Sequence, residues 1–345
     1  MEQIGLANNV KLIVKENVLA VFCDSTLKTV SSAIYFGGVN QVKAVLNVGV
    51  PEGYNDLSLH LDPLKLITSS AAKVGLTKDY LAMLTAANIK NYSLVTRGAP
   101  GFSVSVAATA GCQHGESSGE EMDVQEIAGT INIIVLIDGN PSESCMVATL
   151  ITATEAKSAA LRDFDVRSRY TGDSATGSIT DSITVASTCK GKTLTLGGPP
   201  SKLGKLVGYC VRKAVSDALL KQEPFWGCRS VFDRLKERHL GLEKLAAEVS
   251  KVDGLAISLQ NLAEILKSNP CESVFLLAAA RMDDDYKKNL LPTDFTCWEE
   301  ISKCFGEYSA PNQDCEKQPD YPEVDLPPFI KYALIKIIKK TQSMG

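Results

Sequence analysis

The chain has 345 residues, of which 45% are hydrophobic and 22% are charged, and its formal net charge is −4. This composition is typical of a globular protein with a real core, and the slight acidity argues against a general nucleic-acid surface. No run of about 18 apolar residues is present, so no membrane span is expected. The N-terminus lacks the basic and apolar regions of a signal peptide, so a cytoplasmic protein is predicted.

The first two thirds of the chain alternate between strand and helix patterns. Strands are predicted at 10–15, 18–23, 29–36, 45–50, 91–96, 102–110, 129–137 and 182–187, and helices at 63–73, 77–84, 142–162 and 201–221. The third strand ends at Gly37 and Gly38, where a chain can adopt a positive φ or approach a ligand closely. The pattern predicts an α/β or α+β fold, with a mixed sheet or two sheets and helices outside. A four-layer sandwich, as in some amide-cleaving enzymes, is an alternative that periodicity does not test.

The composition of the chain changes near residue 224. Beyond it glycine becomes scarce, and apolar and charged residues alternate at helical spacing over 230–267, over 272–282 and in the last 17 residues. We therefore predict an α/β domain over 1–224 and a mainly helical region over 225–345.

Cysteine and histidine usage limits the metal chemistry that is expected. The ten cysteines are scattered and none forms a C-x-x-C pair, and only three histidines are present. In a chain without a secretory signal, such cysteines are interpreted mostly as buried reduced thiols. No metal site is predicted, because no histidine lies near a cysteine pair.

The run from Gly129 to Asp181 is dense in groups that could perform chemistry. A buried strand is followed by a helix that carries Glu155 and Lys157, and then by a hydroxyl-rich turn that ends at Asp181. Two positions on an ideal helix diverge by about 200°, so Glu155 and Lys157 are not expected to face the same pocket.

Four blocks of the sequence carry a family likeness. In chain order they are Met83–Ala87, Ala108–Gly111, Gly129–Ile134 with Thr154–Lys157, and Ala175–Gly177 with Thr180–Asp181. With this order and spacing, residues 10–220 resemble the adenosylcobinamide amidohydrolase family of corrinoid salvage.

The resemblance implies a reaction and a substrate. Members of the family cleave the amide between the aminopropanol arm and the corrin ring of adenosylcobinamide, which releases adenosylcobyric acid for cobamide synthesis. The implied ligand is therefore a small-molecule corrinoid that contains cobalt and acts as substrate. No separate cofactor, nucleic-acid partner or membrane partner is expected, and a homo-oligomer is left open.

Hydrolysis of an unactivated amide needs a nucleophile, a proton donor for the leaving amine and donors to the oxyanion. Neither a G-x-S-x-G nor an H-E-x-x-H motif is present, and three histidines leave little room for a Ser-His-Asp arrangement. We expect water or a hydroxyl to attack, with Glu155 as the base, Asp181 as the orienting group, and Asn132 or backbone N–H groups holding the oxyanion.

Two further residues are candidates for catalysis. Thr109 ends its element and could be the nucleophile of an acyl-transfer scheme or a capping hydroxyl. His114 is the histidine inside the resemblance blocks, and it could act as an acid or base or approach the lower face of the cobalt. Its neighbour Cys112 could be a reactive thiol.

A second group of residues is expected to contact the corrinoid. It consists of Thr85, Thr176, Gly177, Ser178 and Thr180. Hydroxyls and backbone N–H groups beside a glycine can bind an oxyanion, a phosphate or the corrin amides. Structural roles are the alternatives: a solvated helix face for Glu155, a turn cap for Asp181, and a bracing amide for Asn132.

The segment after Gly111 motivates a second functional hypothesis. The family tends to carry an asparagine there, whereas this chain has Cys112–Gly115. A non-catalytic corrinoid-binding protein that kept the domain is therefore one alternative, and an amidase for another substrate is a third.

Overall fold

The structure, a computed structural model, describes residues 2–51, 62–113, 115–121, 129–292, 302 and 320–343. Two compact units are present, the first made of 1–170 with 174–228 and the second of 171–173 with 229–345. The 3₁₀ turn Pro224–Gly227 belongs to the first unit.

The described part of the first unit contains eleven strands and three α-helices. The strands are β1 (Glu2–Ala7), β2 (Val10–Lys15), β3 (Val18–Ser31), β4 (Gly38–Gly49), β5 (Tyr80–Thr85), β6 (Ser93–Ala99), β7 (Phe102–Gly111), β8 (Thr130–Asp138), β9 (Asn140–Pro141), β10 (Ser182–Ser187) and β11 (Thr193–Leu194). The helices are α1 (Pro63–Lys73), α2 (Glu143–Asp163) and α3 (Lys202–Gln222).

Nine of these strands form one mixed sheet. Its order is β1-β2-β3-β10-β8-β7-β6, and β4 joins the other edge of β3 and pairs in turn with β5. Strand β3 has 14 residues, so its first half pairs with β2 and its second half with β10. The pairs β8–β10 and β4–β5 are parallel, and the remaining pairs in this sheet are antiparallel.

Side-chain alternation along the strands separates the core into layers. In β8, Ile133 and Val135 pack with helices α2 and α3, whereas Ile134 and Leu136 pack with the β4–β5 half of the sheet. Helix α1 covers the far side of β4 and β5 through Ile67. A period of two makes this possible, because successive side chains of a strand point to opposite faces. The first unit is thus an α/β fold with outer helices, as the sequence predicts.

One predicted element is wrong. Residues 77–84 were expected to be helical, yet Tyr80–Thr85 is a strand with nearly every side chain buried. A short apolar run that is buried on both faces does not distinguish a strand from a helix by periodicity. The predicted strand at 29–36 is the end of the longer strand β3, and its last residues form a turn before Gly38.

The described part of the second unit is helical. Its helices are α4 (Val231–Lys236), α5 (Leu242–Val249), α6 (Leu259–Ser268), α7 (Pro270–Lys287) and α8 (Pro328–Ser343). Buried leucine, isoleucine and aromatic side chains such as Leu276 and Phe329 form a core of their own. No helix among the described residues has the length and apolar character that crossing a bilayer requires.

Candidate active site

A charged pair lies at the end of the sheet where β8 and β10 begin. Lys157 Nζ on α2 forms an ion pair with the carboxylate of Asp181, and their side chains are only 9% and 12% exposed. The carboxylate also accepts hydrogen bonds from the backbone N–H groups of Ile131, at 3.0 Å, and Ser178, at 3.1 Å, and from the Ser178 hydroxyl. Asp181 is therefore held by a cation and three neutral donors.

The turn that precedes Asp181 brings the backbone close to this pair. A Cβ at Gly177 would lie 2.6 Å from Asp181 Oδ2 and 2.8 Å from Lys157 Nζ. Real Cβ atoms do not approach polar atoms so closely, so only glycine fits between the pair without displacing it. At Gly177 the backbone of the turn therefore passes close to the carboxylate of Asp181 and the ammonium of Lys157.

Two threonine hydroxyls continue the polar surface outward. Thr130 Oγ1 lies 2.7 Å from Thr180 Oγ1, and Thr180 also donates to the Gly129 carbonyl at 3.3 Å. Thr180 is exposed, and Ser178 is half-buried. We call Lys157, Asp181, Ser178, Thr130 and Thr180 the rim cluster, because it joins buried charges to groups that solvent reaches.

A second polar group lies deeper, between the two halves of the sheet. Asn132 Nδ2 donates to Asn47 Oδ1 at 2.8 Å and to the Leu84 carbonyl at 2.7 Å, and Asn47 Nδ2 donates to Thr109 Oγ1 at 2.8 Å. Each of the three residues Asn47, Thr109 and Asn132 is at most 2% exposed. We call these three residues the deep network.

The backbone carbonyl of Leu84 fixes the direction of every bond in the deep network. A carbonyl only accepts, so the atom of Asn132 that faces it must be Nδ2, and Asn47 must present Oδ1 to that group. Asn47 then has only its Nδ2 left for Thr109, whose hydroxyl is the acceptor. The Oδ1 of Asn132 is buried and has no hydrogen-bond partner among the described residues.

Glu155 lies outside both groups, so the predicted base is not beside Asp181 in this structure. It is exposed on α2, whereas Lys157, two positions along, is buried against Asp181. The predicted divergence of the two side chains is observed, but the residue that faces the site is the lysine. A base at Glu155 would have to act from the opposite side of the helix.

The remaining predicted residues fall into separate places. Thr85 is buried and its hydroxyl accepts the Ala87 N–H, which makes it a turn cap at the end of β5. The Thr176 hydroxyl lies 3.1 Å from that of Ser118 rather than beside Asp181. His114 lies outside the described residues. These positions remove Thr85 and Thr176 from the direct surroundings of the ion pair.

Cys112 is buried directly beneath the turn. Its thiol lies 3.9 Å from the Gly177 carbonyl, and burial, together with the negative charges of Asp181 and Glu223, raises the pKa of the thiol. A raised pKa keeps the sulfur protonated, so a reactive thiolate is not expected there.

A buried carboxylate holds the backbone at the same point. Glu223 accepts the Cys112 N–H with both oxygens, at 3.1 and 3.2 Å, and accepts the Trp226 indole N–H at 2.5 Å. It therefore fixes the end of β7, three residues from Thr109.

Sequence reasoning missed three of these residues as site members. Asn47 carried the same signal as Asn132, a lone amide in an otherwise apolar strand. For Lys157, helical spacing shows that it diverges from Glu155 but does not show which of the two faces Asp181. Glu223 had no local signal, because its partner Cys112 is far from it in the chain.

The rim cluster places a proton acceptor and a proton donor in contact, with hydroxyl groups beside them. Asp181 can accept a proton from a nucleophile, Lys157 can supply one to a leaving amine, and hydroxyls can polarise a carbonyl. This set of groups fits hydrolysis of an amide.

A family model described as adenosylcobinamide amidohydrolase matches residues 4–225. The match assigns the protein to the amidohydrolase class by family, and it spans well over half of the chain. The chain belongs to the adenosylcobinamide amidohydrolase family, which the four sequence blocks predicted.

The match with this chain covers most of the length of two relatives. The adenosylcobinamide amidohydrolase of Methanosarcina mazei is 30% identical over 191 residues, which are 54% of this chain and 82% of that protein. An uncharacterised protein of Methanocaldococcus jannaschii is 28% identical over 207 residues, 54% of this chain and 80% of that protein.

Solved structures resemble the chain only distantly. A protein from Pyrococcus horikoshii matches 62% of this chain and 83% of its own, at 11% identity and a TM-score of 0.33. The L-aminopeptidase D-Ala-esterase/amidase of Ochrobactrum anthropi matches 62% of this chain and 84% of its own, at 9% identity and a TM-score of 0.28.

Proposed function

We propose that this protein hydrolyses the amide bond between the aminopropanol arm and the corrin ring of adenosylcobinamide, giving adenosylcobyric acid and free aminopropanol. Family membership supports the substrate class. The observation that supports the chemistry is the contact between Lys157 and Asp181 beside groups that solvent reaches.

In the proposed reaction, Asp181 acts as the base. Its carboxylate takes a proton from a water molecule, whose oxygen attacks the carbonyl carbon of the substrate amide. The hydroxyls of Ser178 and Thr180, which donate to Asp181 and to the Gly129 carbonyl in this structure, turn to the oxygen of the tetrahedral intermediate and stabilise its charge.

Lys157 completes the reaction as the acid. Its ammonium gives a proton to the amide nitrogen as the carbon–nitrogen bond breaks, so aminopropanol leaves as a neutral amine. The proton that Asp181 has gained then returns to Lys157 through their direct contact. This last transfer restores both groups without a further residue.

The deep network has no direct part in this scheme. Asn47, Thr109 and Asn132 are almost fully buried, and a substrate as large as a corrinoid does not reach them without opening the sheet. Their proposed task is to fix the ends of β4, β7 and β8, and so the backbone N–H of Ile131 that Asp181 accepts.

The test is turnover of adenosylcobinamide by the purified full-length chain in ¹⁸O-labelled water. We expect adenosylcobyric acid and aminopropanol in equal amounts by mass spectrometry, with one ¹⁸O atom in the new carboxylate. Adenosylcobyric acid incubated with the protein under the same conditions controls for later exchange. Binding of adenosylcobinamide without any product would reject the proposal and favour a corrinoid-binding role.

Two variants connect the reaction to the site. Asp181→Asn keeps the shape of the side chain but removes the base, and it should lower turnover by about 10²–10⁴-fold. Glu155→Gln is the matched control, because the residue lies on the same helix as Lys157 but is exposed on another face. If Glu155→Gln lost activity and Asp181→Asn kept it, the proposed base would be wrong.

A further inference from the structure

The turn between β3 and β4 presents three large apolar side chains to solvent. Ile34, Phe36 and Val39 are 60%, 53% and 57% exposed, respectively. We call these three residues the apolar turn. Single exposed apolar residues are common on protein surfaces, but three within six positions form a patch of the kind that marks binding sites.

The apolar turn is held in a fixed conformation. Phe36 has a φ of 55°, in the left-handed region that bulky residues rarely adopt. Asn40 Nδ2 donates to the carbonyls of Phe36, at 3.0 Å, and Gly37, at 2.7 Å. Between the exposed side chains, the Tyr35 ring stacks on Tyr80 with ring centroids 5.1 Å apart. The structure thus keeps a phenyl ring in water at a backbone cost, which is typical of functional positions.

Hydrogen bonds join Ser32, which precedes the apolar turn, to β10, the strand that begins after Asp181. Ser32 N donates to the Ile183 carbonyl at 3.1 Å, Ile183 N donates to Ser32 Oγ at 3.0 Å, and the hydroxyls of Ser32 and Ser182 lie 3.2 Å apart. Ser182 directly follows Asp181, and Ser32 precedes Ile34 by two residues. The hydrogen bonds of Ser32 therefore tie the start of the apolar turn to the first residues of β10. These contacts hold the apolar turn near the rim cluster in the first unit.

The charge pattern of this segment fits an uncharged ligand. No charged residue occurs between Lys28 and Lys43 in the sequence. A corrin is a broad, flat macrocycle with methyl groups and neutral amide arms at its edge, and it extends far beyond the one amide that is cleaved. With that amide at Asp181, the ring must lie over the neighbouring surface, where an apolar, uncharged patch would bind it by burial of nonpolar area.

We propose that Ile34, Phe36 and Val39 form the surface that binds the corrin macrocycle and so determine substrate affinity. The inference rests on the proposed function, because that function supplies the occupant. Since these side chains touch the ring and not the reacting amide, they contribute to binding of the ground state and the transition state alike. Their loss should therefore raise KM and leave kcat nearly unchanged.

The experiment uses the double variant Ile34→Thr with Phe36→Asn in the full chain. Threonine keeps the β-branched shape, and asparagine tolerates a positive φ better than most residues, so the turn should still form. Phe36→Leu is a second variant, which keeps an apolar contact. Leu196→Ser is the matched control, because Leu196 is 71% exposed and lies between β11 and α3.

We expect the double variant to raise both the Kd for adenosylcobinamide and the KM by about tenfold or more, since two buried apolar contacts are lost. The change in kcat should stay within about twofold. Phe36→Leu should lie between wild type and the double variant, and Leu196→Ser should match wild type. Thermal unfolding verifies that each variant is folded, and the Kd is followed by the visible spectrum of the corrinoid.

Each result decides between this inference and the proposed function. Unchanged Kd and KM in an active double variant overturn the inference but not the proposed function. The same holds if the Kd is unchanged and sedimentation shows a change of oligomeric state, because a second copy of the chain would then be the occupant of the apolar turn. A wild-type protein that binds adenosylcobinamide without turnover rejects the proposed function, and a weaker Kd in the double variant would then still support the surface. A wild-type protein that does not bind adenosylcobinamide overturns both.

Discussion

The rim cluster and the deep network meet at the start of β8, through Thr130 and Asn132, yet they are built for different tasks. The rim cluster is charged, and Thr180 at its outer side is exposed. The deep network is neutral and nearly closed to solvent, with Asn47, Thr109 and Asn132 at most 2% exposed. Charges that lie beside solvent-exposed groups are able to exchange protons with a substrate, whereas buried amides give rigidity. We infer that reactivity and rigidity are separated by burial, with the reactive groups nearer to solvent.

The largest expected effect comes from removing the acid of the rim cluster. Lys157→Met keeps the length of the side chain but has no proton to give, so kcat should fall by about 10²–10⁴-fold. Initial rates at saturating adenosylcobinamide measure this loss. Lys205→Met, at an exposed position of α3, is the control and should retain full activity. A Lys157→Met protein with more than half of the wild-type rate would remove the lysine from the reaction.

Loss of the central amide of the deep network should affect stability instead. Asn47→Leu leaves the Thr109 hydroxyl and one N–H of Asn132 buried without their present partner. The free energy of unfolding should decrease by about 2–6 kcal/mol, since two buried groups lose their partner and each costs about 1–3 kcal/mol. Urea unfolding of the chain measures the change.

A double-mutant cycle sharpens this result. Adding Thr109→Val to Asn47→Leu replaces both ends of one hydrogen bond by apolar groups, so part of the lost stability should return. If the two substitutions were additive, the hydrogen bond between Asn47 and Thr109 would not contribute as described.

Gly177→Ala perturbs the rim cluster by shape alone. The added methyl group would lie 2.6 Å from Asp181 Oδ2 and 2.8 Å from Lys157 Nζ, so the ion pair must move apart. We expect kcat to fall by about tenfold, because proton transfer needs hydrogen-bond contact. Gly208→Ala in α3 is the matched control, since its Cβ would meet no atom within 4 Å. Equal rates for the two variants would show that the spacing of the pair is unimportant.

The last prediction concerns stability and a carboxylate of the second unit, which is bound by backbone N–H groups and not by a lysine. Asp283 on α7 accepts the N–H groups of Phe329 and Ile330 at the start of α8, both at 2.8 Å. Burial raises the pKa of Asp283 from 3.8 to about 7. The folded protein therefore holds this proton at pH values where the unfolded chain has released it.

The sign of the pH effect follows from that difference. Between about pH 4 and pH 7 the folded state binds more protons, so the free energy of unfolding should decrease by up to about 1.4 kcal/mol per pH unit as the pH rises. Asp283→Asn should flatten this dependence in urea unfolding, and Asp285→Asn, at an exposed position, should not. A slope that stays the same in Asp283→Asn would assign the proton to another group.

The sequence was sufficient where the local pattern was strong. Strand β8 and helix α2 were each placed to within one residue, and β10 was placed without error, because long β-branched runs and a serine before the helix define those elements. The run Tyr80–Thr85 was misassigned, since burial on both faces removes the periodic signal.

The site was harder to predict because its contacts join distant segments. Helical spacing showed that Glu155 and Lys157 diverge, but only the packing of α2 on β10 decides which one faces Asp181. Asn47 meets Asn132 and Thr109 through the doubling back of the sheet, and no local pattern carries that information. Relative angles along one element could be predicted, and the partner of each face could not.

The separation of reactivity from rigidity is tested most directly by kcat for Asp181→Asn and Thr109→Val, measured with saturating adenosylcobinamide on protein shown to be folded. Both substitutions keep the size of the side chain and remove one chemical group. We predict a loss of about 10²–10⁴-fold for Asp181→Asn and a loss below about tenfold for Thr109→Val. Complete inactivity of Thr109→Val with a largely active Asp181→Asn would contradict this account and place the nucleophile in the deep network.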